Sequence, residues 1–176
     1  MKITISGKVG SGKSTVAKLL AKKLSLEYYS IGTIMREMAS ERGLSINEFS
    51  KKAENDKSID IELDTRQKEI GKKEKFIMDS RLGFYFIPDS FKIFLDVDIK
   101  EAAKRIYSDS RKEESFEDIN KAAIALKERI DSEKKRYKEY YGINFPELKR
   151  FDLVIDTTSK KPEEAVLEIV KRIKAK

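Results

Sequence analysis

The chain contains neither cysteine nor histidine. Without cysteine, disulfides and thiolate chemistry are excluded, and a reducing compartment is allowed without being required. Without histidine the commonest general base is missing, so any chemistry proceeds without one or through a carboxylate. No apolar run approaches the ~20 residues that a membrane span needs. The opening Lys2-Ile3-Thr4-Ile5-Ser6 reads as a short strand rather than the apolar stretch of a signal peptide. A soluble, cytoplasmic protein with no membrane partner is expected. Any block of a single charge is also lacking. The net charge is +7, but Lys and Arg are interleaved throughout with Asp and Glu. With no basic arm or polybasic tail, nucleotide-sized anions explain the balance at least as well as nucleic acid does.

What is present fits one α/β domain. The length of 176 residues and the 39% of hydrophobic residues suffice for a real core. Charged residues also reach 39%, chiefly Lys and Glu, the bias of thermophile proteins. Short apolar runs alternate with helical patterns. Strands are predicted at Ile3–Ser6, Glu27–Ser30, Lys75–Asp79, Phe91–Asp96 and Asp152–Asp156. Strands separated by helices imply crossover units and a parallel sheet covered on both faces. Asp98 with Glu101, and Ser115 with Asp118, read as capping boxes. The second would open a long helix that buries Ile119, Ala122, Ala123, Leu126 and Ile130. Pro162 suits the first turn of a last helix, with Glu163 and Glu164 early and Lys171, Arg172 and Lys174 late, matching the helix dipole. Residues 31–72 look wholly helical and very polar, too small for an independent domain, and are expected to sit as a flap on the sheet.

Gly7-Lys8-Val9-Gly10-Ser11-Gly12-Lys13-Ser14 matches G-x-x-x-x-G-K-[ST] in full, between a predicted strand and a predicted amphipathic helix. In such a loop the backbone N–H groups turn inward on a β-phosphate, and the helix N-terminus adds its positive end. Lys13 would reach the β- and γ-phosphates of ATP, and the Ser14 hydroxyl would ligate Mg²⁺. A switch GTPase would need N-K-x-D, but Asn120-Lys121-Ala122-Ala123 lacks the Asp, and no D-x-x-G occurs. A motor ATPase would end its apolar strand in consecutive acids, whereas Phe76-Ile77-Met78-Asp79 is followed by Ser80 and Arg81. One carboxylate to hold a Mg²⁺-bound water, with an arginine two residues on for an acceptor anion, suits a small kinase.

Five stretches carry a resemblance that spans nearly the whole chain: Gly7 to Thr15, Tyr29 to Arg36, Asp79-Ser80-Arg81-Leu82, Arg129 to Tyr141 with Gly142-Ile143-Asn144, and Leu153 to Thr157. In these the sequence resembles the nucleoside monophosphate kinases, and among them the compact archaeal-type cytidylate kinases. Ser30-x-Gly32-x3-Arg36 is the mark of the wider group, and Arg129 to Asn144 points to the cytidylate branch. The resemblance implies a P-loop kinase fold with a doubly wound five-stranded parallel sheet in the order 2-3-1-4-5. It implies one domain over 1–176, an acceptor-binding insert at about 31–72, a lid at about 107–118, and a monomer. The implied reaction transfers a phosphoryl group from ATP to CMP or dCMP.

The same resemblance assigns roles. Ser30 and Gly32 open the helix beside the acceptor, and Arg36 and Arg81 grip its phosphate, planar forks that bind a dianion bidentately. An ionised acceptor phosphate needs no general base, so the missing histidine is in keeping. Arg129, Glu133 and Arg136 fall at i, i+4 and i+7 on one helix face and look like the family's mobile arm. From spacing alone, Glu133 and Arg136 would equally be an exposed ion pair. Thr15 completes the loop. Arg105 matches an arginine near the adenine, but the family's second arginine, four positions on, is Asp109 here, with Arg111 nearby. In the insert, Asp64 and Gln67 on one helical face could read a pyrimidine edge, or be polar residues of a solvated helix. Tyr28, Tyr29, Phe84, Tyr85 and Phe86 could stack on the base or belong to the core. Other acceptors (AMP, UMP, shikimate), a non-catalytic nucleotide-binding regulator and a nucleic-acid-binding ATPase are the remaining readings.

Overall fold

The computed structural model describes residues 1–108 and 116–175. In chain order the elements are β1 (Lys2–Gly7), α1 (Lys13–Leu24), β2 (Glu27–Ser30), α2 (Ile31–Glu41), α3 (Ile46–Asn55), α4 (Lys57–Gly71), β3 (Phe76–Asp79) and a single turn α5 (Gly83–Phe86). They continue with β4 (Phe91–Asp96), α6 (Ile99–Ser108), α7 (Ile119–Tyr141), a 3-10 turn at Leu148–Arg150, β5 (Leu153–Asp156) and α8 (Pro162–Lys174). The five strands form one sheet in the order β2-β3-β1-β4-β5, every pair parallel. This is the doubly wound order that the resemblance implied.

The strand alternation sorts the core into two layers. Ile3, Ile5, Ile77, Ile93, Leu95 and Ile155 face one side, where Val16, Ala17 and Leu20 of α1 and Val166 and Ile169 of α8 cover them. On the other side Phe76 and Met78 meet Ile87, while Phe94 joins a cluster with Phe84, Tyr137, Ile143 and Phe145. Between these two patches β1 presents hydroxyls instead of aliphatics. Thr4 Oγ1 lies 2.8 Å from Ser90 Oγ, and Ser6 donates at 2.9 Å to the carbonyls of both Ser80 and Arg81. A Cβ on Gly83 would come within 3.2 Å of Thr4, so α5 sits close on β1 and the chain leaving β3 is pinned there.

Residues 31–72 are helical as expected, but they divide into α2, α3 and α4 with a small core of their own: Met38, Ala39, Phe49, Ala53, Ile59 and Leu63. Ser45 and Glu48 form a complete capping box at α3, which the sequence reading overlooked. Three expectations need correction. α7 starts at Ile119 with Asp118 as its N-cap, accepting from the Asn120 and Lys121 N–H groups, whereas Ser115 lies outside the described residues. Ile119, the first helical residue, is exposed, while Ala122 and Leu126 are buried against Ala102 and Ala103 of α6. At α6 only half of the capping box forms. Asp98 accepts from the Lys100 and Glu101 N–H groups, but the Glu101 carboxylate turns to Arg105. Pro162 occupies the first position of α8 as predicted.

Phe94 is fully buried, and its ring centroid lies 6.0 Å from Phe145 and 5.0 Å from Phe151. Phe145 in turn stacks edge-on against Tyr137 of α7 at 5.6 Å. The ring thus couples the sheet to the C-terminal half of α7. Truncation should cost both the transfer energy and a cavity, so Phe94→Ala is expected to lower unfolding free energy by about 3–5 kcal/mol in a urea titration. A loss below about 1 kcal/mol would mean that the cluster collapses and does not anchor α7.

Candidate active site

The carboxyl ends of parallel strands are where doubly wound sheets bind ligands, and there the predicted residues gather. The loop Gly7–Gly12 leaves β1 and turns into α1. Its geometry demands glycine at two points. A Cβ on Gly7 would lie 2.4 Å from the Leu95 carbonyl oxygen, and one on Gly10, at φ 77°, would lie 2.8 Å from the Ala102 backbone. Gly12 caps α1 without a side-chain acceptor, and no acid stands in the first turn. The uncompensated N–H groups and helix dipole make this end a site for an anion. The Ser11 hydroxyl is buried there without a hydrogen-bond partner among the described residues. Lys8 is committed elsewhere, its ammonium 2.5 Å from Asp96 at the end of β4. Val9 packs against the α6–α7 apolar cluster.

Lys13, Ser14, Asp79 and Arg81 come together as the sequence implied. The Ser14 hydroxyl donates to Asp79 Oδ2 at 2.5 Å, and Tyr28 Oη approaches the same oxygen at 3.4 Å. The lysine ammonium is hemmed in by protein. Burial, and then the Arg81 guanidinium, pull its pKa down to about 8, against the opposing pull of Asp79 and Glu133. Two hard oxygen donors, Ser14 and Asp79, fit a small divalent cation that keeps most of its water. Among the described residues no group of three or more Asp or Glu could hold a metal by itself, so ligand phosphates would have to complete the shell.

Glu133 has a different partner from the one its spacing suggested. Its carboxylate lies 2.6 Å from Arg81 Nε and 3.4 Å from Arg129 Nε, and is itself only 14% exposed. The solvated Glu133–Arg136 pair is therefore set aside. Arg136 lies 5.7 Å above the neighbouring Tyr137 ring and is half-buried, in electrostatic reach of Asp60, Glu133 and Arg81. Burial, and then the neighbouring Glu133 carboxylate, push the Tyr137 hydroxyl up to about 12. Spacing could not reveal the Arg81–Glu133 pair, because it joins residues from separate elements.

Ser30 caps α2, accepting from the Thr33 N–H at 3.3 Å. Gly32 is exposed, and Arg36, also exposed, donates back to the Gly32 carbonyl at 2.8 Å rather than joining Arg81. On α4, Gln67 is buried and accepts from Ser80 at 2.5 Å, and Asp64 accepts from Tyr141 Oη at 2.9 Å. Both face the protein rather than open solvent. Arg105 binds four groups: Glu101 at 3.0 Å and the carbonyls of Thr157, Thr158 and Gly10 at 2.8, 3.0 and 3.4 Å. It ties the phosphate loop to the β5–α8 turn. Asp109, Arg111 and most of the expected lid lie outside the described residues. Of the candidate stacking aromatics, Phe84 is core, while Tyr85 is exposed with its ring 5.9 Å from Tyr141.

The lysine pKa carries a sign that can be measured. The unfolded chain holds that proton to the ordinary 10.5, whereas the folded chain releases it near 8. The unfolded state therefore binds more protons between these values, and stability gains with pH across that window. Relative to Lys13→Met, the wild-type protein should become progressively more stable from pH 7.5 to 9.5 in denaturant titrations. Parallel pH profiles for the two proteins would show that Lys13 keeps its ordinary proton affinity.

The sequence profile of the cytidylate kinase-like family matches residues 2–159. The chain is 42% identical over 176 residues to a cytidylate kinase from Methanocaldococcus jannaschii, covering 97% of this chain and 95% of that one. It is 43% identical over 163 residues to a cytidylate kinase from Methanosarcina mazei, covering 89% and 87%. Among solved structures, a shikimate kinase from Bacteroides thetaiotaomicron superposes with a TM-score of 0.71 at 13% identity, over 99% of this chain and 98% of that one, a likeness of fold alone. With the phosphate loop, the strand order and near full-length matches in agreement, the chain belongs to the cytidylate kinase-like family.

Proposed function

We propose that the protein transfers the γ-phosphoryl group of ATP to CMP or dCMP, giving ADP and the corresponding diphosphate. The observation that carries this reading is the set of Lys13, Arg81 and Arg129 converging beside the Ser14–Asp79 pair, in a chain of this family. The loop from Gly7 to Thr15 cradles the ATP phosphates, and Lys13 neutralises charge on the β- and γ-groups. Ser14, and Asp79 through water, would hold Mg²⁺, which supplies further charge neutralisation on the phosphates when bound. Arg105, which grips the phosphate loop and the β5–α8 turn, borders the ATP side.

On the acceptor side α2, α3 and α4 form the flap within a single monomeric domain. Arg81 and Arg36 take the acceptor phosphate. Arg36 must leave the Gly32 carbonyl, and the phosphate must compete with Glu133 for Arg81. Glu133 meets Arg81 as an ion pair that leaves the buried Nε without a hydrogen-bond acceptor among the described residues, so a phosphate offering bidentate acceptors would replace the charge and add hydrogen bonds. An acceptor phosphate oxygen then bonds to the γ-phosphorus as the bond to the bridging oxygen of ADP breaks. No proton moves, and positioning with charge neutralisation provides the acceleration. Arg129 and Arg136, with Glu133, belong to the arm that closes over the transferring group. Ser30 and Gly32 position the start of α2, and Asp64 and Gln67 face the acceptor base. None of the described helices is long and apolar enough to cross a membrane, in keeping with a cytoplasmic enzyme of small nucleotides.

ADP release should be measured with Mg·ATP and CMP, dCMP, UMP, AMP, GMP or shikimate in turn. Turnover with CMP or dCMP, and little with the others, is expected. Arg81→Ala should lower kcat/KM for CMP by roughly 10- to 100-fold, the value of a charged hydrogen bond, with a smaller change in the KM for ATP. Turnover confined to AMP or shikimate would sink the cytidylate reading and leave a P-loop kinase. No acceptor-dependent ADP from any compound would sink both.

A further inference from the structure

α4 carries a carboxylate that no role above employs. Asp60 is buried to 8% exposure, and its Oδ2 has no hydrogen-bond partner among the described residues. A buried, unpaired carboxylate oxygen is costly, and a stably folded chain seldom keeps one without use. It stands one turn before Asp64 and two turns before Gln67, on the same helix face. That face looks across to α7 and to the end of β3. Arg136 lies in electrostatic reach of both carboxylates, Tyr141 Oη binds Asp64, and Gln67 binds Ser80, the neighbour of Arg81. Tyr141 is flanked by Tyr85 at 5.9 Å and Phe86 at 5.7 Å, so aromatic faces border the acidic stripe. The stripe and the phosphate-gripping arginine thus lie along one path, with Arg136 between them.

We infer that Asp60, flanked by Asp64, is the specificity-determining residue for the acceptor base: its unpartnered Oδ2 accepts from the 4-amino group of cytosine and repels the 4-oxygen of uracil. This rests on the cytidylate reading above. The two pyrimidines differ at that edge only in hydrogen-bond polarity, amino donor and ring-nitrogen acceptor against carbonyl acceptor and N–H donor. An ionised carboxylate has acceptor oxygens only, so it can complete the first pattern and clashes with the second. A site built to receive an N–H discriminates more strongly than a merely apolar pocket, since the wrong ligand leaves its buried polar atom unpaired. Asp64 has a second function in this arrangement: held by Tyr141, it fixes one end of the stripe and leaves Asp60 as the unpaired acceptor. Were Asp60 only a counter-charge for Arg136, its removal would disturb stability without touching base choice.

The test compares kcat/KM for CMP, UMP and a CMP analogue whose 4-amino group is replaced by hydrogen, in the wild-type protein and in Asp60→Asn. The amide has nearly the same shape and can turn to donate to a carbonyl. Wild-type protein should prefer CMP over both other acceptors, and Asp60→Asn should reduce that preference by at least about tenfold while melting no lower than wild type. An unchanged CMP-to-UMP ratio in Asp60→Asn overturns the inference and leaves the kinase reading intact. If the variant does not fold, the wild-type arm still decides: equal use of CMP and the analogue means that no acceptor on the protein reads the amino group. Absence of CMP turnover in the wild-type protein removes the cytidylate reading together with this one.

Discussion

Positive charge at the carboxyl edge of the sheet must be held together, and the rest of the structure answers that constraint. Burial of the lysine ammonium, and then its repulsion by Arg81, draw the Lys13 pKa down to about 8. Asp79 offsets part of this from the sheet itself. The other counter-charge, Glu133, comes from α7 and reaches Arg81 at 2.6 Å. A half-buried ion pair is worth little as a net source of stability, but losing one partner strands the other. The position of α7 is therefore tied to that carboxylate. The tie is made one turn later by Tyr137, packed on Phe145, and behind that ring by Phe94 of the sheet. The helix ends on Gly142 at φ 67°, which turns the chain so that Ile143 and Phe145 join the same cluster.

The hydroxyls of β1 belong to the same problem. A central parallel strand buried on both faces ordinarily reads as an aliphatic run. Here Thr4 and Ser6 interrupt that run on one face only, while Ile3 and Ile5 keep the other. The small side chains let α5 approach through Gly83, and the Ser6 hydroxyl takes the Ser80 and Arg81 carbonyls at 2.9 Å each. Backbone groups that leave β3 without a strand partner are thereby satisfied in the interior. The cost in apolar burial is repaid by fixing the root of the Arg81 side chain. Ser80 points the other way, to Gln67 of α4, so one dipeptide joins the sheet edge to the helical insert.

Much of this was legible from residue order. The phosphate loop with its flanking strand and helix, the five strands, and the acid–Ser–Arg end of β3 are short-range patterns, and each lies where its pattern put it. Helix ends signed by local groups were readable in part: Pro162 opens α8 as read, whereas α7 begins on Asp118 and not on a Ser115–Asp118 box. The failures share a cause. Glu133 was assigned by spacing to a helix neighbour, yet its partner Arg81 is 52 positions earlier in the chain. Periodicity reports what shares a face and is silent on what that face meets. Arg105 could be placed near the adenine by resemblance, but not its grip on three carbonyls from the phosphate loop and the β5–α8 turn. Asp60 did leave a trace: an acid one turn before Asp64, in register with Ile59 and Leu63 that pack inward. An acid so close to the buried stripe of an amphipathic helix is a signal that charge counting passes over.

The distribution of charge within the acceptor side has a consequence for orientation. A nucleoside monophosphate is bipolar, with a dianion at one end and, in cytosine, a hydrogen-bond donor at the other. The protein presents the opposite polarity in the same order, Arg81 with Glu133 in its shell near the sheet, and Asp60 and Asp64 farther along α4. A phosphate placed against the α4 face would meet two carboxylates that Arg136 and Lys68 offset only in part. A base placed at Arg81 would leave a guanidinium without its acceptor. Each misplacement costs on the order of a few kcal/mol in unpaired polar groups. In the proposed orientation the acceptor would be aligned by these charges alone, and a reaction without a general base depends on alignment more than on any proton transfer. In a chain with a net charge of +7, acids on this helix face would keep either end of the proposed substrate from taking the place of the other.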